Sequence, residues 1–117
     1  MPNYKLQIKR IYDPVLETDG YRILIDRLWP RGVSKEKAQL DEWMKDLGPS
    51  TDLRKWFNHD DTKYSEFKGL YLEELKEKEA LLEHIKVLAS KQQVSLLFAT
   101  KNTKSNHAVV LLEVLKA

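Results

Sequence analysis

The chain contains no cysteine. That excludes thiol nucleophiles, disulfides and cysteine-ligated zinc, and it fits a reducing interior. Its four glycines are scattered, so there is no glycine-rich loop to cradle a phosphate. No apolar run approaches the ~20 residues needed to span a bilayer. The opening Met-Pro-Asn-Tyr-Lys-Leu lacks the apolar run behind a basic one that marks a signal peptide. A strong charge of one sign is missing too: 20 basic side chains face 18 acidic ones. Residues 1–35 hold seven Lys/Arg against four Asp/Glu, and residues 36–70 hold six against eight. So mild an excess argues against the clustered basic face of a nucleic-acid binder. These absences describe a cytoplasmic protein with no membrane partner, and nucleic acid is disfavoured.

What is present is enough for one α/β domain over residues 1–117. A chain of this size buries roughly two thirds of the surface its unfolded form exposes, so a core needs no staples. Residues 4–12 alternate at Tyr4, Leu6 and Ile8, which predicts a first strand. Asp13-Pro14 ends it. Residues 21–27 follow the Asp19-Gly20 turn signal as a second strand, and the continuous Ile23-Leu24-Ile25 suits burial on both faces of a parallel sheet. Ser34 is placed to cap a short helical turn.

In residues 40–47 the spacing of Leu40, Trp43, Met44 and Leu47 fits a helix, although the Gly48-Pro49-Ser50 ending also suits a short strand feeding a new helix. Helix is the reading preferred here. Ser50 caps a helix carrying Leu53, Trp56 and Phe57 inward, which stops near Asn58-His59-Asp60. Two further amphipathic helices show Tyr64, Phe67, Tyr71 and Leu75, then Leu81, Leu82, Ile85 and Leu88. Residues 94–99 form another buried strand, and Asn106 caps a last helix through Val109, Val110, Leu112 and Leu115. Strands separated by helices predict a small open sheet, mostly parallel and flanked by helices.

Three polar clusters fall where elements end. They are Asp26-Arg27-Leu28-Trp29-Pro30-Arg31-Gly32, Trp56-Phe57-Asn58-His59-Asp60, and Lys101-Asn102 with Asn106-His107. Ligands of open α/β sheets bind beyond the carboxyl ends of the strands, and the first and third clusters follow strands directly. Arg27 and Arg31 can grip a carboxylate or phosphate in fork geometry, and Lys101 adds a point charge. The last helix offers backbone N–H groups beside Asn106 and His107, and Trp29 can stack on a planar group. His59 with Asp60 or Asp26 is suited to proton transfer near neutral pH. Each feature also has a structural alternative: Arg27 pairing with Asp26, or His59-Asp60 simply ending one helix and capping the next. Asp26, His59, Asp60 and His107 are metal-ligand types, but no H-x-x-x-H or H-E-x-x-H spacing organises them. No metal site is therefore assigned and no cofactor is named. A G-x-S-x-G elbow is absent as well.

Asp-Arg-Leu-Trp-Pro-Arg-Gly at 26–32, Leu-Arg-Lys-Trp-Phe-x-His-Asp at 53–60, and Ala-Thr-Lys-Asn with Asn-His-Ala at 99–108 together resemble the YeaO-like proteins. These are small bacterial proteins within a larger family of unknown function, and the resemblance covers essentially the whole chain. It implies a small α/β domain. Where the wider family often carries Cys-His-Arg, this chain has Asn106-His107-Ala108, so any thiol role is gone. Asn58 stands where relatives commonly have glycine, and Asp61 where they commonly have proline. The leading expectation is an enzyme acting on a small anionic metabolite, phosphorylated or a nucleotide. A non-catalytic module sensing the same anion is the rival, and a nucleic-acid-binding regulator ranks last.

Overall fold

A computed structural model describes residues 4–117; the first three residues, part of the stretch read as lacking a signal peptide, lie outside it. Four strands form one fully parallel sheet: β1 (Leu6–Arg10), β2 (Tyr21–Leu24), β3 (Glu42–Trp43) and β4 (Val94–Phe98). Their spatial order is β1-β4-β2-β3. Central β4 is buried along its whole length, as its apolar run requires. Ile23, Leu24 and Ile25 are also fully buried, so both faces of the β2 run are covered. Pairing continues past β2, where the Ile25 N–H donates to the Leu97 carbonyl at 3.0 Å.

Among the described residues, four helices lie between the strands, α1 (Lys35–Ala38), α2 (Thr51–Phe57), α3 (Tyr64–Leu75) and α4 (Glu79–Lys91), and a fifth, α5 (His107–Lys116), follows the last one. Hydroxyl and amide caps start three of them. Ser34 accepts from the Lys37 N–H, Ser50 from that of Leu53 and Asn106 from that of Val109. The charged stretch between α3 and α4 is a solvated 3-10 turn, Lys76–Lys78.

The preferred helical reading of residues 40–47 is corrected. Gln39 takes a left-handed conformation and ends α1, after which β3 and a 3-10 turn, Lys45–Leu47, occupy the segment. The outer edge of β2 decides the matter, because its backbone groups need partners. The Asp41 N–H donates to the Arg22 carbonyl and the Met44 N–H to the Leu24 carbonyl, both at 2.9 Å. Met44 and Leu47 are buried while Trp43 is half-exposed, so the helix-like spacing marks two inward residues either side of a bend.

The two faces of the sheet are unequal. Leu6, Ile23, Ile25, Val94, Leu96 and Phe98 pack against a main core built with α2 to α5. Leu24 and Leu97 face the other way, toward Ile11, Ala38 of α1 and the loop residues Trp29 and Val33. The chain leaving β2 thus goes to one face of the sheet and the chain leaving β4 goes to the other. Neighbouring strands whose connections part in this way open a crevice at their carboxyl ends. Among the described residues, no helix is long and apolar enough to cross a membrane.

Candidate functional site

An open cleft of about 1260 Å³ lies at that switch point. It is lined by residues 26–31 after β2, residues 99–102 and 105–107 after β4, the end of β1, and α2 with its flanking loops. Of the nine side chains singled out in the sequence, Asp26, Arg27, Trp29, Arg31, His59, Lys101, Asn106 and His107 line this cleft. Asp60 does not. Its carboxylate accepts from the Thr62 N–H at 3.0 Å and the Thr62 hydroxyl at 2.6 Å, capping the 3-10 turn Asp61–Lys63. The Thr62 hydroxyl and then its N–H hold that carboxyl below the usual carboxylate range. His59 is therefore not in partnership with Asp60. It is exposed and left-handed, with φ +56°, directly after Asn58 at φ +45°. Glycine takes such a backbone most readily, and asparagine at position 58 is among the few other residues that tolerate it.

The cations are held in an unusual manner. Arg27 donates from Nε to the Pro49 carbonyl at 3.0 Å and from Nη2 to the Gly48 carbonyl at 2.9 Å. Arg10, which sequence reasoning passed over, donates from Nε to the Thr100 carbonyl and from Nη2 to the Ala99 carbonyl, both at 2.9 Å. Carbonyl partners fix a guanidinium without neutralising it. Arg31, Arg54, Lys55 and Lys101 complete the cationic lining. Among the described residues, none of these six cations makes an ion pair with a carboxylate.

The single carboxylate of the lining, Asp26, is engaged elsewhere. Its Oδ2 accepts from the Ala99 N–H at 3.0 Å, and its Oδ1 stands 2.8 Å from His107 Nε2. Both atoms of that contact are sealed from solvent and neither has an aligned hydrogen bond or another partner. The alternative of an Arg27–Asp26 pair does not form. His107 begins α5 and lies edge-on to the Tyr71 ring at 6.1 Å. Burial pushes the Tyr71 hydroxyl far above its ordinary range, and it donates to the Leu47 carbonyl at 2.6 Å.

The remaining walls are apolar or anchored. Trp29 donates its indole N–H to the Val33 carbonyl at 2.6 Å and sits edge-on to Trp43 at 5.3 Å. Tyr12, also missed, donates to the Arg31 carbonyl at 2.8 Å and lies under the Arg10 guanidinium at 4.9 Å. Asn102 ties the last loop together. Its carbonyl accepts from the Asn106 amide at 2.7 Å, and its side chain joins Asp61 at 2.8 Å. Arg10 and Tyr12 carried a usable signal, because they fall at the carboxyl end of the predicted first strand, on the edge where the other clusters gather. Arg54 and Lys55 fall within the 53–60 motif, but two basic residues on a short helix read as a solvated face. Among the described residues, no group of three or more metal-ligating side chains is assembled.

Comparison with known sequences agrees with these motifs. The family described as the inactive DUF488-N3 subclade matches residues 5–117. The uncharacterized protein YeaO of Escherichia coli is 47% identical over 112 residues, covering 96% of this chain and 97% of its own. Uncharacterized proteins of Mycobacterium bovis and Mycobacterium tuberculosis are each 35% identical over 111 residues, covering 95% of this chain and 93% of theirs. No solved structure matches the chain. With nearly the whole sequence matched, the chain belongs to the inactive DUF488-N3 subclade and is YeaO-like.

Proposed function

We propose that the protein binds a small anionic, phosphorylated ligand in the switch-point cleft and does not chemically transform it. One observation carries this reading. The cleft gathers Arg10, Arg27, Arg31, Arg54, Lys55 and Lys101 around a single carboxylate, in a chain whose charges otherwise nearly cancel. Such a concentration of one sign between low-dielectric walls focuses the field on an anion. Arg10 and Arg27, already fixed by carbonyls, lose little side-chain freedom when the ligand arrives. Trp29 and Pro30 give the apolar wall on which a flat part of the ligand rests.

Absence of turnover is supported by the description of the family as inactive and by the divergence of His59 from Asp60. Processing of the ligand is the second reading. It is favoured by the Asp26–His107 contact on the floor, with Asp26 orienting the imidazole. A thermal-shift screen over nucleotides and sugar phosphates, followed by a turnover assay of every hit, separates the two. Stabilisation without turnover, unaffected by His59→Ala, is the expected outcome. Turnover abolished by His107→Ala would instead establish processing, and a screen with no hit would sink both. Duplex DNA is not expected to bind, even at low salt where phosphate contacts are strongest.

A further inference from the structure

The floor of the cleft carries a hydrogen-bonding pattern that its cationic walls do not share. Building on the anion-binding reading above, we propose that the ligand carries a hydroxyl or N–H donor close to its anionic group. This assigns it to the hydroxyl-bearing phosphate esters, meaning sugar phosphates and nucleotides. Anions without such a donor, like sulfate or an alkyl phosphate, are then poor ligands.

The argument starts from Asp26. One carboxylate oxygen takes the Ala99 N–H, and the other lies 2.8 Å from His107 Nε2. The approach is off the ideal line, yet both atoms are buried and neither has another partner. Buried polar atoms rarely stay unpaired, and an ionised carboxylate can only accept. The imidazole proton therefore resides on Nε2, held there by Asp26 as the carboxylate of a catalytic triad holds its histidine. The other ring nitrogen, Nδ1, is not among the sealed atoms, and His107 lines the cleft. In the neutral ring, Nδ1 then offers the ligand a lone pair. The nearby charges, Arg27 next to Asp26 in the chain and Lys101 on the neighbouring loop, can only donate. Tyr71 turns its hydroxyl away to the Leu47 carbonyl. An oxygen of a fully ionised alkyl phosphate has no proton to give Nδ1, whereas a neighbouring hydroxyl does. Sites that offer a fixed acceptor discriminate strongly against analogues lacking the donor.

Glycerol 3-phosphate and propyl phosphate form a matched pair, equal in carbon count and charge and differing in hydroxyls. Titration calorimetry on the full chain should show glycerol 3-phosphate binding about tenfold more tightly, the effect of roughly one hydrogen bond. In Asp26→Asn, the amide keeps its oxygen for Ala99 and turns its NH2 toward Nε2. The proton is thereby forced onto Nδ1, and the preference should vanish or invert. Nitrogen-detected NMR of the neutral His107 ring in the unaltered protein is independent of that variant's folding, and it should find the proton on Nε2. Equal affinity for the two esters, or a proton on Nδ1, overturns the inference and leaves anion binding standing. Failure of both esters to bind overturns anion binding as well.

Discussion

The two ends of β2 bury guanidinium and carboxylate groups in opposite arrangements. At its start, Arg22 is 3% exposed and Asp19 1% exposed, and they meet at 2.6 Å. Lys9 joins Asp19 at 2.8 Å, the Leu16 N–H adds a donor, and the remaining Arg22 nitrogens reach the Ala38 carbonyl. Each charge there touches one of opposite sign, the two cations sharing the one carboxylate. Beyond the other end, Arg10 and Arg27 are bonded to carbonyls alone, while Asp26 turns to His107 and a backbone N–H. The first arrangement is complete without a ligand. The second leaves its positive charge uncompensated, and that is the property an anion site needs.

If the start of β2 is purely structural, breaking it should damage stability and spare binding. Asp19→Ala leaves Arg22 buried without its counterion and should cost about 3–5 kcal/mol in denaturant unfolding. The same carboxylate sets a pH dependence. Burial alone would raise its pKa, but the hydrogen bonds and charge of Lys9, the Leu16 N–H and Arg22 outweigh burial and hold it below the ordinary carboxylate range. A depressed folded value means the stabilisation is fully present above the ordinary range and is lost as pH falls through the folded value. Acid titration of Asp19→Asn should accordingly lose part of the stability slope in that window.

A smaller effect is expected in the backbone that pins Arg27. A Cβ on Gly48 would lie 2.5 Å from the Arg27 backbone nitrogen. Gly48→Ala should destabilise the fold by about 1–3 kcal/mol and weaken ligand binding together, because the carbonyls that pin Arg27 move with it. By contrast, Arg10→Met should cost about tenfold in affinity for a phosphate ester while destabilising the fold less than Asp19→Ala does, by about 1–3 kcal/mol for its lost carbonyl hydrogen bonds. Lys101→Ala, exposed and flexible, should cost the least, about two- to threefold, and that loss should fade as salt is added. An Arg10→Met protein that loses stability instead of affinity would make the two ends alike and break the comparison.

Much of this was legible in the sequence, for identifiable reasons. Continuous apolar runs made the central strands visible, and strand-end placement gathered Asp26, Arg31, Lys101 and His107 before any coordinates. Ser50 and Asn106 announced their caps by residue type. β3 was legible only as the less favoured alternative for residues 40–47, because two residues carry no periodicity and its pairing is dictated by the edge of β2, far away in the chain. The Asp19–Arg22–Lys9 cluster escaped for a related reason. Asp19 reads as half of an Asp-Gly turn, and only the fold brings Lys9 back onto it. Partner choice at Asp26 was equally hidden: its sequence neighbour Arg27 is the obvious counterion, but the backbone directs that guanidinium to carbonyls 48 and 49.

The most direct measurement follows backbone amide shifts by NMR while a phosphate ester is titrated into the protein. Binding at the uncompensated end predicts saturable shifts confined to residues 26–31, 54–59 and 99–107, with residues 15–22 and 38–41 unmoved. Shifts at the Asp19–Arg22 end, or none at any ester concentration, would contradict the account.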